Sequence, residues 1–419
     1  MQNLQKWSVI YGNQRIRAHL CDKKIMRKAE LQSRTMTKQQ NGKKPDLVFW
    51  FDAPPRAGAG VFRNVAQEWG TGVHYLCAAP LTAERRGAGW KDCDHGKALL
   101  TILTEQPEPD HFVRDFIQQH RDAIYVCNGF RGLTAPYLKK WLFPVHGSRI
   151  AMWSERPNLY GHRFKQIATL MLHRHLALRY ASKIRVYFAL GTIGVETFAK
   201  CGWDRNILFP FMYDPLSPII QPHSNSCIPG KPLRMLYVGR FASVTKGVDV
   251  IVRALDAQIN GDWRLDLVGR NGDYEKQLIS WAKNNPRVSY LGVWPSDEVI
   301  QRITQYDICL VPSRYDGWNV VTNEALRAGV GVIISDAAAS DDLVKASGAG
   351  MVVPAGNVNA LRYAIQRVID NPSLADSWKE KARAYSHKIT SESVGRYFMD
   401  VLEYTFLDPT LPRPQCPWL

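Results

Sequence analysis

The sequence predicts an α/β protein made of two doubly wound domains that face one another across a cleft. Three observations carry this expectation. Short apolar runs alternate with helical periodicity along most of the chain, as in parallel sheets buried on both faces. A proline-rich stretch divides two such series, with Pro210, Pro215, Pro218, Pro222, Pro229 and Pro232 set among Ser217, Ser224 and Ser226. The 419 residues also exceed what one ordinary core holds. The divisions are a basic extension over 1–45, a first domain over 46–215 and a linker over 216–232. A second domain over 233–395 follows, then a C-terminal helix and tail over 396–419 that can cross back to the first domain.

In the first series the run Leu47–Phe51 reads as a buried strand and breaks at Asp52-Ala53-Pro54-Pro55. Gly58-Ala59-Gly60 then opens a helical pattern with Val61, Val65 and Trp69 on one face. Further strands are expected over Val73–Cys77, Ala123–Cys127, Arg149–Trp153 and Val186–Leu190. The second series gives strands over Met235–Val238, Arg264–Val268, Val288–Leu291, Ile308–Val311, Val332–Ile334 and Gly350–Val353. Helices are expected over Val248–Ala257, Asp297–Gln305, Thr322–Ala328 and Val358–Asp370. In such folds, ligands sit outside the carboxyl ends of the strands.

The hydrophobic fraction of 45% is that of a globular chain. The eight cysteines show neither Cys-x-x-Cys spacing nor a metal-ligand pattern with histidine, which suits reduced thiols in a cytoplasmic protein. Met1–Arg15 has no apolar core of a secretory signal, and no run reaches the length of a membrane span. Net charge is +16 and unevenly placed: residues 1–230 hold 32 Lys+Arg and 17 Asp+Glu, whereas residues 231–419 hold 22 and 21. A strongly basic half beside a nearly neutral one implies different partners, the basic half facing something anionic such as a membrane surface. No RNP, KH or zinc-finger pattern supports a nucleic-acid partner.

The most specific segment runs from Val311 to Leu326: Val-Pro-Ser-Arg-Tyr-Asp-Gly-Trp-Asn-Val-Val-Thr-Asn-Glu-Ala-Leu. A strand ends, a loop carries Asp316 and Gly317, and a helix begins with Glu324 in its first turns. Both carboxylates can therefore reach one pocket at a strand's carboxyl end, where Gly317 admits close backbone approach and the helix start favours phosphate.

This segment resembles the donor-site signature of family 4 glycosyltransferases, in which two glutamates bracket seven residues. Here Asp316 stands in place of the first glutamate. The resemblance covers most of residues 231–395 and implies the GT-B architecture of two Rossmann-like domains. It also implies a nucleotide-diphosphate sugar as co-substrate, retention of anomeric configuration, and no metal or other cofactor. Tyr237-Val238-Gly239-Arg240-Phe241 with Lys246-Gly247 looks like the family's diphosphate-binding strand, loop and cation pair. Two fixed cations would offset the charge that develops on a departing diphosphate. Gly269 lies in a similar strand-to-loop crossing, and Val293 in the segment like the one that lines the base. By the same resemblance Glu324 takes the ribose hydroxyls, while Asp316 and the amides of Trp318, Asn319 and Val320 meet sugar and phosphate. The aspartate keeps a second reading open, a catalytically silent GT-B scaffold or sugar-nucleotide-binding subunit.

The first half matches less closely. Gly58 and Gly60 resemble a glycine loop set against donor phosphates, and a plain strand-to-helix turn explains them equally well. Glu155 and His162 follow the strand ending near Trp153, where an acceptor-orienting or proton-accepting group belongs. Phe164–Tyr180 is basic and amphipathic, suited either to anionic lipid or to packing on its own sheet. Asp92-Cys93-Asp94 mimics a metal-binding Asp-x-Asp but lies in a polar loop. The expected partners are a nucleotide-sugar donor, a glycan or lipid-linked acceptor of bacterial surface polysaccharide or glycolipid assembly, and an anionic membrane surface.

Overall fold

The computed structural model describes residues 44–87, 92–145, 149–214, 232–256, 259–295 and 298–419. Nearly all of the basic extension and of the linker over 216–232 therefore lies outside the described residues.

The first sheet begins with β1 (Leu47–Phe51), whose five residues are all buried. Alternate side chains enter opposite cores, with Leu47, Phe49 and Phe51 on one face and Val48 and Trp50 on the other. Helix α1 (Ala59–Glu68) leads to β2 (Val73–Cys77), and β3 (Leu99–Ile102) follows. Helix α2 (Pro109–Gln119) precedes β4 (Ile124–Asn128) and β5 (Ile150–Ser154). Helix α3 (Arg163–Tyr180), β6 (Ile184–Leu190), α4 (Gly191–Lys200) and β7 (Leu208–Phe211) complete the series. The seven strands pair in the order β3-β2-β1-β4-β5-β6-β7, all in parallel.

The second sheet alternates β8 (Leu233–Val238), α5 (Val248–Asp256), β9 (Trp263–Val268), α6 (Glu275–Asn284) and β10 (Val288–Tyr290). It continues through β11 (Ile308–Val311), α7 (Val320–Arg327), β12 (Gly331–Ser335), α8 (Asp341–Ser347) and β13 (Gly350–Val353). Its order is β10-β9-β8-β11-β12-β13, again all parallel. Strand order reverses between β1 and β4 in one sheet and between β8 and β11 in the other. Each reversal leaves a crevice at the carboxyl ends of the strands.

Three helices close the chain: α9 (Val358–Asp370), α10 (Ser373–Tyr385) and α11 (Ser391–Phe406). Helix α11 starts five residues before the expected 396 and does cross back. Phe398 stacks on Phe188 with ring centroids 4.4 Å apart and lies against Phe49 at 5.9 Å. One apolar core consequently runs through both halves, joining Phe49 and Phe188 to Val311, Trp318 and Leu402.

Two strands differ from expectation. The edge strand β3 exposes Leu99 and Leu100 rather than burying an apolar run. Pro210, the first proline of the stretch read as dividing the two series, lies in β7 opposite Ala189. Proline is tolerated there because β7 is the last strand of its sheet, with an edge that makes no ladder.

Candidate active site

A cavity of about 520 Å³ opens at the carboxyl ends of β8, β9 and β11, at the point where strand order reverses. Its volume is that of a small-molecule site. Three crossings build it. The first runs from Val238 through Gly239 and Arg240 to a short turn, Ser243–Lys246. Gly247 ends that turn at φ 66°, and a Cβ there would strike the Pro312 carbonyl, so only glycine lets the turn lie against the neighbouring loop. The second crossing is Gly269–Gly272, where the Gly269 amide donates to the Gly292 carbonyl at 2.7 Å. Val293 and Trp294 extend this wall.

The third crossing, Pro312–Asn319, holds the charged centre. Lys246 Nζ donates to Asp316 Oδ2 at 2.6 Å. The same oxygen accepts from Asn319 Nδ2 at 3.0 Å and from Ser313 Oγ at 3.3 Å. Asn319 also caps α7, its Oδ1 accepting from the Thr322 amide at 3.2 Å. Asp316 is thus locked to both the lysine and the helix start, and α7 presents its positive end to the cavity. The loop is braced beneath by Arg314, which pairs through both terminal nitrogens with Asp249, at 2.5 and 2.7 Å.

Glu324, on α7, lines the cavity but is almost wholly buried. Its carboxyl has no hydrogen-bond partner among the described residues. Burial pushes its pKa up to about 8, with Arg56 opposing the shift and Asp214 adding to it. The free site therefore holds a neutral carboxyl at pH 7 beside an ion-paired lysine.

Glu155 arrives from the other half. It follows β5, and its carboxyl packs on Gly317 so closely that a Cβ there would collide with it. Removal of water by the crowded cleft raises the Glu155 pKa first and the Asp316 charge raises it further, while Lys246 and Arg156 oppose both. Beside it Tyr315 donates its hydroxyl to the Arg156 carbonyl at 2.6 Å, and Arg156 donates to the Ala337 carbonyl at 2.6 Å.

Of the residues expected from sequence, Gly239, Arg240, Lys246, Gly269, Val293, Trp318, Asn319, Val320 and Glu324 line the cavity. Asp316 stands just behind that wall, joined to it through Lys246, and Gly317 and Glu155 lie off the wall as well, packed against each other. His162 is not brought in; it occupies the N-cap of α3, exposed to solvent. Gly58 and Gly60 also lie off the cavity wall. Gly58 is crowded by Phe62 and Tyr213, and the Gly60 amide donates to the Asp214 carbonyl at 3.1 Å, so this loop seats α1 against the crossover between the halves.

Sequence reasoning missed Glu84 and Arg85, which line the cavity from the short helix after β2, and Arg56, whose charge reaches Glu324. None carries a local motif. Arg56 follows the break after β1, and that position at a strand's carboxyl end is the one available signal. Asp92 and Asp94 are each engaged by an arginine, Arg86 and Arg63. Among the described residues, Asp46, His74 and His120 form a three-residue group of possible metal ligands at the opposite, amino end of the first sheet.

Residues 222–385 match the family model described as glycosyl transferases group 1. The chain is 31% identical over 167 residues to the lipopolysaccharide core biosynthesis mannosyltransferase LpcC of Rhizobium leguminosarum bv. viciae, covering 37% of this chain and 46% of that protein. It is 30% identical over 176 residues to the GDP-mannose:cellobiosyl-diphosphopolyprenol alpha-mannosyltransferase of Xanthomonas oryzae pv. oryzae, covering 39% and 45%. The sequence matches thus span less than half of these relatives' own lengths. In three dimensions the chain is similar to sucrose-phosphate synthase from Thermosynechococcus elongatus, with a TM-score of 0.64, 16% identity, and 87% and 99% of the two chains covered. It is likewise similar to Anabaena HepE in complex with UDP, with a TM-score of 0.65, 15% identity, and 86% and 100% covered. Residues 222–385 are thus similar to the glycosyl transferases group 1 family, in a chain that has the GT-B fold.

Proposed function

We propose that this protein is a retaining, metal-independent glycosyltransferase. It moves a hexosyl unit from a nucleotide-diphosphate sugar to a hydroxyl of a glycan or lipid-linked acceptor, as a cytoplasmic protein working peripherally at the inner face of a membrane. The observation that carries the reading is the single cavity in which Arg240, Lys246 and the start of α7 meet the buried carboxyl of Glu324. That arrangement suits a ligand with an anionic middle and a hydroxyl-rich end.

In this mechanism Glu324 takes the ribose hydroxyls, and Arg240 and Lys246 face the diphosphate. As the bond from the anomeric carbon to the phosphate oxygen breaks, negative charge grows on that oxygen, and the two cations lower the barrier. The acceptor hydroxyl attacks from the same face and passes its proton to the leaving phosphate oxygen. Glu155, whose carboxyl packs on Gly317, orients that hydroxyl. Asp316 sets the position of Lys246 and is within reach of the sugar hydroxyls. Lipid-linked acceptors are favoured because the similar proteins are named for lipopolysaccharide core and diphosphopolyprenol substrates.

The test is turnover of purified protein with a panel of sugar nucleotides, starting with GDP-mannose and UDP-glucose. Arg240→Ala and Lys246→Ala are each expected to lower turnover by about 10²-fold, the scale of losing one stabiliser of developing charge. Turnover of both variants within about threefold of the parent would exclude the diphosphate role. No turnover of any donor, with nucleotide still bound, would favour a silent scaffold.

A further inference from the structure

Helix α3 is apolar on two faces. Toward the protein it packs Leu170, Leu176, Ala177 and Tyr180 into the core beneath the first sheet. Toward solvent it presents Phe164, Ile167, Met171 and Leu178, which are 88%, 42%, 66% and 77% exposed. Their spacings of three, four and seven residues put all four on one stripe along the outer side of the helix. A stripe of that span is about 20 Å long at 1.5 Å per residue. Soluble surfaces scatter such side chains singly, and a continuous row marks a contact surface.

The charges say what the surface fits. At 100° per residue, Arg163 and Arg174 fall along one flank of the stripe, and Lys165 and Arg179 along the other. All four are exposed, and the helix carries no acidic residue. Beside the stripe is a hollow of about 430 Å³ between α3 and α4. Leu159, Ile167, Leu170 and Met171 line it together with Arg174 and Lys200. An apolar row between two cationic rows is the pattern of a helix lying in a lipid interface, with rings and aliphatic chains below the headgroups and cations among the phosphates. A second copy of the same helix would bring four more cations against these four, which opposes self-pairing.

We infer that the outer face of α3 is the surface by which this protein docks on a bilayer of anionic phospholipid. The hollow beside it accommodates an acyl segment whose phosphate meets Arg174 and Lys200. This deepens the reading of a lipid-linked acceptor and rests on it for its purpose. The loop bearing Glu155 runs directly into α3, so docking there holds the acceptor side of the cleft at the membrane.

The experiment is sedimentation of the full chain with vesicles of phosphatidylcholine alone or with added phosphatidylglycerol, at low and high salt. The parent protein is expected to bind only the anionic vesicles and to be released as salt rises. The variant Phe164→Ser/Met171→Ser/Leu178→Ser should lose about tenfold in vesicle affinity. The variant Arg163→Gln/Lys165→Gln/Arg174→Gln/Arg179→Gln should lose the preference for anionic lipid. Both substitute exposed residues outside the donor cavity, so melting temperature and nucleoside diphosphate affinity should stay at parent values. Equal sedimentation with neutral and anionic vesicles would overturn the inference, as would parent-like binding by the serine variant. Self-association of the parent that the serine variant abolishes would assign the stripe to a second copy instead and also overturn it. Failure of vesicle binding with sugar transfer intact sinks the docking surface alone. Vesicle binding without turnover of any donor sinks the transfer reading alone.

Discussion

At the residue scale, Glu324 makes the most direct claim on experiment. Its carboxyl is protonated in the free site up to about pH 8 because burial outweighs the pull of Arg56. Two ribose hydroxyls donating to it would favour the ionised form. Binding of a nucleoside diphosphate at pH 7 should therefore release about one proton, seen as a binding enthalpy that changes with the buffer's ionisation enthalpy. Affinity should rise with pH up to about 8. In Glu324→Gln the proton release should vanish while the fold persists; a buffer-independent enthalpy in the parent would remove Glu324 from the ribose. Gly317 supports a second prediction. A methyl group there collides with the Glu155 carboxyl, so Gly317→Ala should lower turnover by about 10² or more while leaving nucleotide affinity near that of the parent. A proportional loss of nucleotide affinity would instead place Gly317 in the donor site. Spacing alone found the pairing of Asp316 and Glu324 in one segment. That one would be ion-paired and the other neutral is set by burial and by Arg56 from a distant loop, which no local pattern encodes.

At the element scale, the strands were legible where both faces are covered. β1, β2 and β11 keep their expected bounds because a short apolar run bordered by a turn has one stable use in a parallel sheet. β3 and β7 escaped because edge strands are released from that rule: one exposes leucines, the other contains Pro210. Helix α3 was half legible. Its apolar residues occupy both the core face and the solvent face, so the amphipathic periodicity partly cancels: one face packs beneath the first sheet as expected, and the other carries the exposed apolar row. Helix α11 is the element on which the first half depends. Phe398 is fully buried and touches the rings of Phe49, Phe62, Phe188 and Phe211. Phe398→Ala should cost about 3–5 kcal/mol, the range for an aromatic removed from a packed core. Urea unfolding would measure it, and a loss below about 1 kcal/mol would show that the helix is not an essential wall of that core.

At the scale of the whole molecule, the two sheets are held in register by polar contacts between residues far apart in sequence, which is why none was foreseen. Asp342 accepts from the amide and the hydroxyl of Thr192, both at 2.6 Å. Asn323 donates to the Tyr213 carbonyl at 2.8 Å. The centre of this set is Asp214, fully buried at the end of the first series, which accepts from Arg327 at 3.0 Å and from Ser391 at 2.6 Å. Burial raises the Asp214 pKa to about 6 against the pull of Arg327 and the Ser391 bond. An acid whose folded pKa lies above its unfolded value keeps its proton longer in the folded chain. Its contribution is therefore most favourable below about pH 4 and declines as pH rises through about 6. Removing Arg327 raises that pKa further and leaves a buried carboxylate without its counter-charge. Arg327→Met should thus cost about 3–5 kcal/mol at pH 8, where the carboxylate must ionise or hold its proton at a penalty. The loss should shrink at pH 5, where the folded chain keeps the proton easily. Adding Asp214→Asn should restore much of the stability at pH 8 and flatten the pH dependence, because no charge is then left to bury. Urea unfolding of the parent, the single variant and the double variant at the two pH values measures all of this. An Arg327→Met penalty equal at pH 5 and pH 8 would mean that Asp214 is not the group coupling the two halves to pH.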